Sequence, residues 1–135
     1  MSASIYRAET SKSVNQFIKD FAVAASNHGF LIHNEDKMEM AHTFGTHGVE
    51  VAEGFDLHMI QVCKPAKAAM TLHKNPERAV LLPKFVIVFT KEGKTVVRML
   101  RFSAERVAEL IDDADFPNSV VESFNSIIAT IEDAL

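Results

Sequence analysis

The single cysteine of the chain, Cys63, has the neighbours best suited to chemistry. Pro65 follows two residues later and is a residue type that opens helices, so the thiol is predicted to lie beside a helix N-terminus. The positive end of that helix, with Lys64 and Lys67, would favour the thiolate, which attacks electrophiles. Cys63 and Lys64 are therefore candidate catalytic residues of a thiol-dependent enzyme or redox sensor. The alternative is that Cys63 is a small buried apolar residue, and without a CxxC motif no dithiol cycle is available within one chain.

Histidine and methionine suggest a second chemistry, the binding of a soft metal or haem. The chain has 6 histidines, none of them in HExxH spacing. Met38 and His42 lie four residues apart on a predicted helix, so they share a face that could suit Cu(I). His58 and Cys63 are five residues apart on a predicted strand and point to opposite faces. We predict no metal site and no cofactor, with soft-metal or haem binding by Met38, His42 or Cys63 as the alternative.

Other catalytic motifs are missing from the sequence. There is no GxSxG nucleophile motif, no phosphate-binding GxxxxGK[ST] loop and no GxGxxG dinucleotide motif. Paired carboxylates such as Asp112 and Asp113 stand in polar turns, where we expect helix caps and solvated charge. The sequence therefore favours a binding module over an enzyme.

Basic residues are concentrated in one part of the chain. Residues 64–106 carry ten lysines and arginines against three glutamates, while the whole chain has a net charge of -4. Within this segment Lys84, Arg98 and Arg101 are candidate ligand-binding residues for a phosphate or carboxylate. Arg98 and Arg101 are predicted to project to opposite sides of one strand. The alternative is a solvated hairpin whose charges prevent edge-to-edge aggregation.

Composition limits the class of protein. The chain has 135 residues, of which 47% are hydrophobic and 24% charged, as expected for one soluble globular domain. These values exclude a disordered, collagenous or membrane-spanning chain, and the acidic balance argues against a nucleic-acid binder. One cysteine and no recognisable leader segment predict a cytoplasmic location.

Apolar periodicity and turn residues predict the elements that would hold these side chains. Strands are predicted at 4–8, 30–33, 55–62, 85–90 and 95–102, and helices at 36–44, 65–74, 103–111 and 117–135. An earlier helix is predicted from the apolar residues at 14–25, with Thr10, Ser11 or Ser13 as its cap and Gly29 at its end. This order lacks the regular βαβ rhythm of a parallel sheet. It predicts an α+β fold, with an antiparallel sheet of about four to five strands, helices on one face and a C-terminal helical extension. We expect a single domain, 1–135, with a core at 5–102 and a helical tail at 103–135.

Both faces of the predicted hairpin are apolar. Phe85, Ile87 and Phe89 share one face by the period of two, and we expect that face to be core. On the second strand Val97 and Leu100 project to opposite sides. One helix layer covers only one side of such a sheet, so the other side invites a partner. We expect a homodimer whose interface is supplied by the sheet and by the apolar stripe at 120–131 of the last helix.

Three segments carry a resemblance to a known family. Residues 62–68 read VCKPAKA, residues 81–83 read LLP, and residues 29–30 read GF after the first helix. Over residues 5–102 the chain resembles the bacterial and archaeal domain of unknown function 302 family. The resemblance implies a fold like the TATA-box-binding protein repeat and pairing of two copies through the sheet, with no established activity. Many members carry cysteine directly after the Leu-Pro pair, where this chain has Lys84.

These observations favour a small cytosolic homodimeric binding or interaction module, with an anionic small molecule as a possible ligand. A membrane or nucleic-acid partner is not expected. The thiol-dependent enzyme or redox sensor using Cys63 and the soft-metal or haem protein are the alternatives.

Overall fold

The structure is a computed structural model that describes residues 2–135. The strands in this range are β1 (Ala3–Thr10), β2 (Leu31–Ile32), β3 (Leu57–Cys63), β4 (Lys84–Lys91) and β5 (Lys94–Phe102). The helices are α1 (Val14–Asn27), α2 (Met40–Thr46), α3 (Pro65–Lys74), α4 (Ala104–Leu110) and α5 (Phe116–Ala134), and a short 3₁₀ helix spans Pro76–Leu81. None of these helices is long and apolar enough to cross a bilayer.

The strands form one sheet in the order β1-β5-β4-β3-β2, and all neighbours are antiparallel. The predicted α+β fold with an antiparallel sheet is confirmed. The β4-β5 hairpin turns at Glu92 and Gly93, whose φ angles are 52° and 78°. Positive φ at both central residues matches the right-handed twist of the paired strands, and glycine adopts it without strain.

The core lies between the sheet and helices α1, α4 and α5. Helix α1 begins where the Ser13 side chain accepts a hydrogen bond from the Gln16 N–H at 3.1 Å. Its three- and four-residue apolar spacing buries Phe17 and Phe21 completely. Ile127 of α5 belongs to the same cluster. The C-terminal helix is therefore a layer of the core, and each such side chain contributes roughly 1.5–3 kcal/mol through burial. The expectation that its stripe at 120–131 supplies dimer interface was wrong, because Val120, Ile127 and Ile131 are buried within one chain.

The hairpin face that we expected to be core is the uncovered one. Phe85, Ile87 and Phe89 are only half-buried, whereas Val86 and Val88 are 0% exposed and lie under the helices. The prediction was wrong because both alternating sets of β4 are apolar, so periodicity alone could not choose between them. We call the uncovered side the open face. Its members on the three central strands include Leu57, Met59, Phe85, Ile87, Phe89, Arg98 and Leu100, and Val96 projects to the same side but is only 4% exposed.

Helix α2 begins later than predicted. It starts at Met40, because the Glu39 carboxylate accepts hydrogen bonds from two N–H groups of the first turn. Met38 therefore precedes the helix, and its carbonyl accepts a hydrogen bond from the Met59 N–H at 2.8 Å. The prediction that Met38 and His42 share a helical face was wrong for this reason.

Candidate ligand-binding site

A pocket lies where β3 and β4 meet the start of α3 and the flank of α5. Its volume is about 70 Å³, enough for a few water molecules or a small organic ligand. Its apolar walls are formed by Phe30, by Val62 of β3, and by Phe116, Val120 and Ile127 of α5. Polar groups converge on these walls from three elements, which is the usual composition of a ligand site.

Lys84 is the most unusual group in this pocket. It opens β4 opposite Val62 and faces the helices, so its side chain is only 8% exposed. Its Nζ lies 3.4 Å from the carbonyl oxygens of Leu81 and Leu82 and 5.5 Å from the ring centre of Phe124. None of the ion pairs found within residues 2–135 includes Lys84. A buried ammonium without a carboxylate is costly, because it loses hydration and gains no opposite charge.

The protonation of Lys84 responds to this environment. Its pKa is lowered to about 8, chiefly because burial disfavours the charged form and in part because the ammonium of Lys67 lies nearby. Cys63 acts in the opposite direction. Near neutral pH Lys84 is therefore mostly protonated, but it loses its proton at a lower pH than an ordinary lysine does.

The first turn of α3 adds positive potential to the same pocket. Lys64 and Lys67 both line it, and the Lys64 Nζ lies 4.6 Å from the ring centre of Phe30. Within residues 2–135 no side chain caps this helix, and Pro65 occupies its first turn. The leading N–H groups thus remain available to an acceptor, and the helix dipole favours an anion there.

Cys63 also lines the pocket, and it lies just before the helix that begins at Pro65, the junction predicted from the sequence. It is the last residue of β3, is half-buried and is a free thiol. The structure therefore brings together three predicted site residues, Cys63, Lys64 and Lys84.

Serine hydroxyls line the α5 side of the pocket. Ser119, Ser123 and Ser126 are spaced by four and three residues, so they share one face of the helix. All three are half-buried beside the apolar stripe. They supply hydrogen-bond donors that can reorient to meet a bound oxygen.

A buried ion pair fixes the end of α5 that forms the pocket wall. Arg78 donates to both carboxylate oxygens of Asp113, with its Nε at 2.7 Å and a second nitrogen at 2.8 Å. The same guanidinium donates to the Thr71 hydroxyl at 2.7 Å, and Asp113 accepts the Phe116 N–H at 2.9 Å. Since Thr71 and Phe116 both line the pocket, the pair holds two of its walls together. Asp113 is a cap, as expected, but the expectation that its charge is solvated was wrong.

Arg98 and Arg101 lie away from this pocket. Arg98 is on the open face, with its guanidinium 5.9 Å from the Phe89 ring centre and donating to the carbonyls of Ala8 and Val97. Arg101 donates to the Ser4 hydroxyl at 3.1 Å. Of the three predicted ligand-binding residues, only Lys84 lines the cavity. The two arginines project to different sides of β5, so no single groove can include both.

The residues considered for a metal are also dispersed. His42 is exposed on α2, and Met38 packs against the core. His58 is buried on the helix side of β3, and its Nδ1 has no hydrogen-bond partner in the part of the chain that the structure describes. Across residues 2–135 no three His, Cys, Asp or Glu side chains form a cluster that could hold a metal ion.

Two parts of the site were missed by sequence reasoning, although signals for them exist. The first is the burial of Lys84. This residue lies on the same face of β4 as Val86 and Val88 and is the polar residue among the three buried there. The second is the serine row of α5, whose spacing of four and three follows the flank of the apolar stripe. The Arg78–Asp113 pair has no local signal, because its members are 35 residues apart.

Comparisons with known proteins identify a family. The family described as domain of unknown function DUF302 matches residues 6–134, a span that includes α4 and α5 as well as the 5–102 segment. A crystal structure of an uncharacterized conserved DUF302 protein from Bacillus stearothermophilus superposes with a TM-score of 0.78 at 17% identity. The match covers 97% of this chain and 98% of that one, and at this identity it speaks for the fold alone. No curated protein matches the chain.

Proposed function

The chain belongs to the DUF302 family, whose activity is not assigned, and we propose that this member binds a small organic anion in the pocket at Lys84. The observation that carries the proposal is the buried, carboxylate-free ammonium of Lys84. A bound anion would supply the missing negative charge, so the unfavourable burial of Lys84 in the empty pocket becomes a source of affinity.

The surroundings of Lys84 suit a ligand with one charged end. Lys64, Lys67 and the uncapped start of α3 attract the charged group, and the α5 serines can donate to its oxygens. Phe116 and Val120 offer an apolar wall to the remainder of the molecule. The small volume favours a short carboxylate or a phosphate over a nucleotide.

Inorganic phosphate and pyruvate are expected to stabilise the chain against unfolding, whereas a neutral alcohol of similar size is not. At a ligand concentration 100 times the dissociation constant the gain is about 2.7 kcal/mol. Thermal denaturation with increasing ligand measures it. The effect should weaken as the pH rises through about 8, because Lys84 then loses its charge in the empty pocket. Among residues 2–135 the other titratable groups that line the pocket are Lys64, Lys67 and Cys63, and the polar side chains that α5 contributes are serines.

Matched variants separate the possible causes of such stabilisation. Lys84→Met should abolish it, whereas Lys91→Met, which removes an exposed lysine at the hairpin end, should leave it unchanged. Equal responses of these two variants would show that the anion acts on general surface charge, and the proposal would fail. Cys63→Ser should retain binding, since the thiol supplies no charge that the ligand needs. If only Cys63→Ser lost the response, the thiol-dependent alternative would replace the present proposal.

We further propose that two copies associate through the open face, and that the homodimer is cytoplasmic. Ile5 and Leu100 pair across β1 and β5 on this face and are 48% and 56% exposed. Arg7 and Arg98 are neighbours on it without an acidic partner among the ion pairs of residues 2–135. The acidic loop at 47–56 lies before β3, toward the other edge of the sheet. A twofold arrangement would bring that loop of one copy toward the arginines of the other.

A Leu100→Glu variant is expected to weaken self-association at least about 100-fold, because a carboxylate would be buried at the centre of the interface. Sedimentation equilibrium across a micromolar concentration series measures the dissociation constant. Val80→Glu is the matched control, since Val80 is 76% exposed on the 3₁₀ helix and lies off the sheet. A parent chain that remains monomeric throughout the series, or an equal effect of the two variants, would rule out this interface.

A further inference from the structure

We infer that the ligand of this pocket is a short 2-oxo carboxylate and that the Lys84 amine condenses with its carbonyl to form an imine. This inference rests on the proposed function, since it specifies which anions the pocket receives. It adds a covalent step that simple anion binding does not require.

The position of the Lys84 amine suits a nucleophile better than a structural cation. Its contacts with two carbonyl oxygens are both 3.4 Å, so no short hydrogen bond and no carboxylate from the described residues 2–135 holds it. The backbone of Lys84 is fixed by pairing with Val62, and Phe124 lies beneath the ammonium. The backbone of Lys84 is thus fixed, its amine is held only by two long hydrogen bonds, and the residue lines the cavity.

The distribution of charge specifies the substrate class. Lys64, Lys67 and the uncapped N–H groups of α3 provide a place for a carboxylate apart from Lys84 itself. Because the cavity is only about 70 Å³, a ligand whose carboxylate lies there can present a carbonyl to Lys84 only if the two groups are close in its structure. A 2-oxo acid joins them by one bond.

The condensation needs only the amine, the ligand and one proton from water. The lone pair of the neutral amine attacks the carbonyl carbon, the C=O π bond opens, and a proton moves from the nitrogen to the oxygen, which gives a carbinolamine. The carbinolamine oxygen then takes up a proton from water, the C–O bond breaks to release a water molecule, and the nitrogen lone pair forms the C=N bond of a protonated imine. Nothing is oxidised or reduced. The α5 serines can donate hydrogen bonds to the oxygen as charge develops on it.

Because Lys84 is buried, a substantial fraction of its amine is neutral near pH 7.5, and the neutral form is the nucleophile. With the Lys84 pKa at about 8, roughly a quarter of this side chain is neutral at pH 7.5, against about 0.1% for an ordinary lysine. Desolvation by an apolar pocket and a neighbouring ammonium are the established ways to activate a lysine for imine chemistry.

Hydride trapping tests the inference on the full chain. Incubation with pyruvate and sodium cyanoborohydride reduces any imine, because hydride adds to the imine carbon, and leaves a secondary amine. The protein should gain one adduct whose mass equals that of pyruvic acid less one oxygen atom. Peptide mapping should assign it to Lys84, at a rate at least about tenfold above that of exposed Lys91. The rate should rise with pH and level off near the pKa of about 8.

The outcomes of this experiment distinguish two failures. If adducts spread over exposed lysines with no preference for Lys84, while phosphate still stabilises the chain, imine formation is wrong and anion binding stands. If neither phosphate nor pyruvate stabilises the chain and no adduct forms, both proposals fail. Lys84→Met should lose the specific adduct, and Lys91→Met should keep it.

Discussion

Lys84→Met is expected to be more stable than the parent chain by about 3 kcal/mol near pH 7 in the absence of ligand. The pKa of Lys84 is about 8 in the folded chain, against 10.5 for an ordinary lysine. The difference measures how much folding disfavours the ammonium form. Methionine has a similar length and no charge, so it fills the space of the lysine without that penalty. Urea denaturation at pH 7 measures the free energy of unfolding of both chains.

The advantage of this variant should depend on pH in one direction. Below pH 8 Lys84 is protonated in both the folded and the unfolded parent, so the full penalty of burial applies. Between pH 8 and 10.5 the folded parent loses the proton while the unfolded chain retains it, and the parent gains stability as the pH rises. The difference between parent and variant should therefore shrink through this window and be small above it.

Two observations would contradict this explanation. One is a Lys84→Met variant that is less stable than the parent at pH 7, which would mean that the ammonium makes favourable contacts exceeding its desolvation. The other is a difference that stays constant from pH 7 to above pH 10. Lys91→Met is the control, because Lys91 is exposed and its replacement should change stability by less than about 0.5 kcal/mol.

A residue that weakens the fold and could be replaced without loss of packing points to function. Natural chains tolerate such residues where the site needs them, and the stability lost is recovered when ligand binds. Lys84 fits this description, because the same burial that destabilises the empty pocket strengthens its attraction for an anion.

The fold could be predicted from the sequence in those segments where one hydrophobic periodicity, helical or strand-like, was clear. The apolar residues of α1 recur at three- and four-residue intervals, and residues 85–102 alternate around a glycine turn, so both elements were predicted near their observed bounds. The covered face of β4 did not follow, since Phe85 and Val86 are equally apolar and only the placement of α1 and α5 decides between them. The hydrophobic pattern of a strand shows that its residues alternate between two faces, but it does not show which face packs against the helices.

The site was predictable only in the part that is contiguous in the chain. Cys63 and Lys64 lie at a strand-to-helix junction that Pro65 marks, and the structure retains that junction. The wall formed by α5 comes from more than 50 residues further along. Charge counting grouped Lys84 with Arg98 and Arg101, because net charge carries no information on the side of the sheet from which a residue projects.

Asp113→Asn is expected to lower the melting temperature by more than about 10 °C, because it leaves the buried guanidinium of Arg78 without a counter-ion. Both side chains are almost fully buried, at 8% and 7% exposure. The Arg78 guanidinium beside Asp113 holds the pKa of that carboxyl well below its usual range, and the Asn75 amide acts in the same direction. Thermal denaturation near neutral pH, monitored by circular dichroism, measures the decrease in melting temperature.

The prediction for Asp113→Asn has a matched control variant and a defined dependence on pH. Asp112→Asn removes the neighbouring exposed carboxylate and should change the melting temperature by no more than a few degrees. The stabilisation from Asp113 is complete above the ordinary carboxyl pKa of 3.8 and is lost as the pH falls toward the lower value of the folded chain. The parent should therefore lose stability below pH 4 more steeply than Asp113→Asn does.

A double variant shows whether the pair acts as a unit. In Arg78→Met with Asp113→Asn neither charge remains buried, so the double variant should be more stable than the sum of the two single effects predicts. Additive effects would mean that the two residues act separately. Because Arg78 contacts Thr71 and Asp113 holds the first turn of α5, all three variants should also respond less to phosphate than Asp112→Asn does. A full phosphate response in the double variant would show that the pocket keeps its shape without this ion pair.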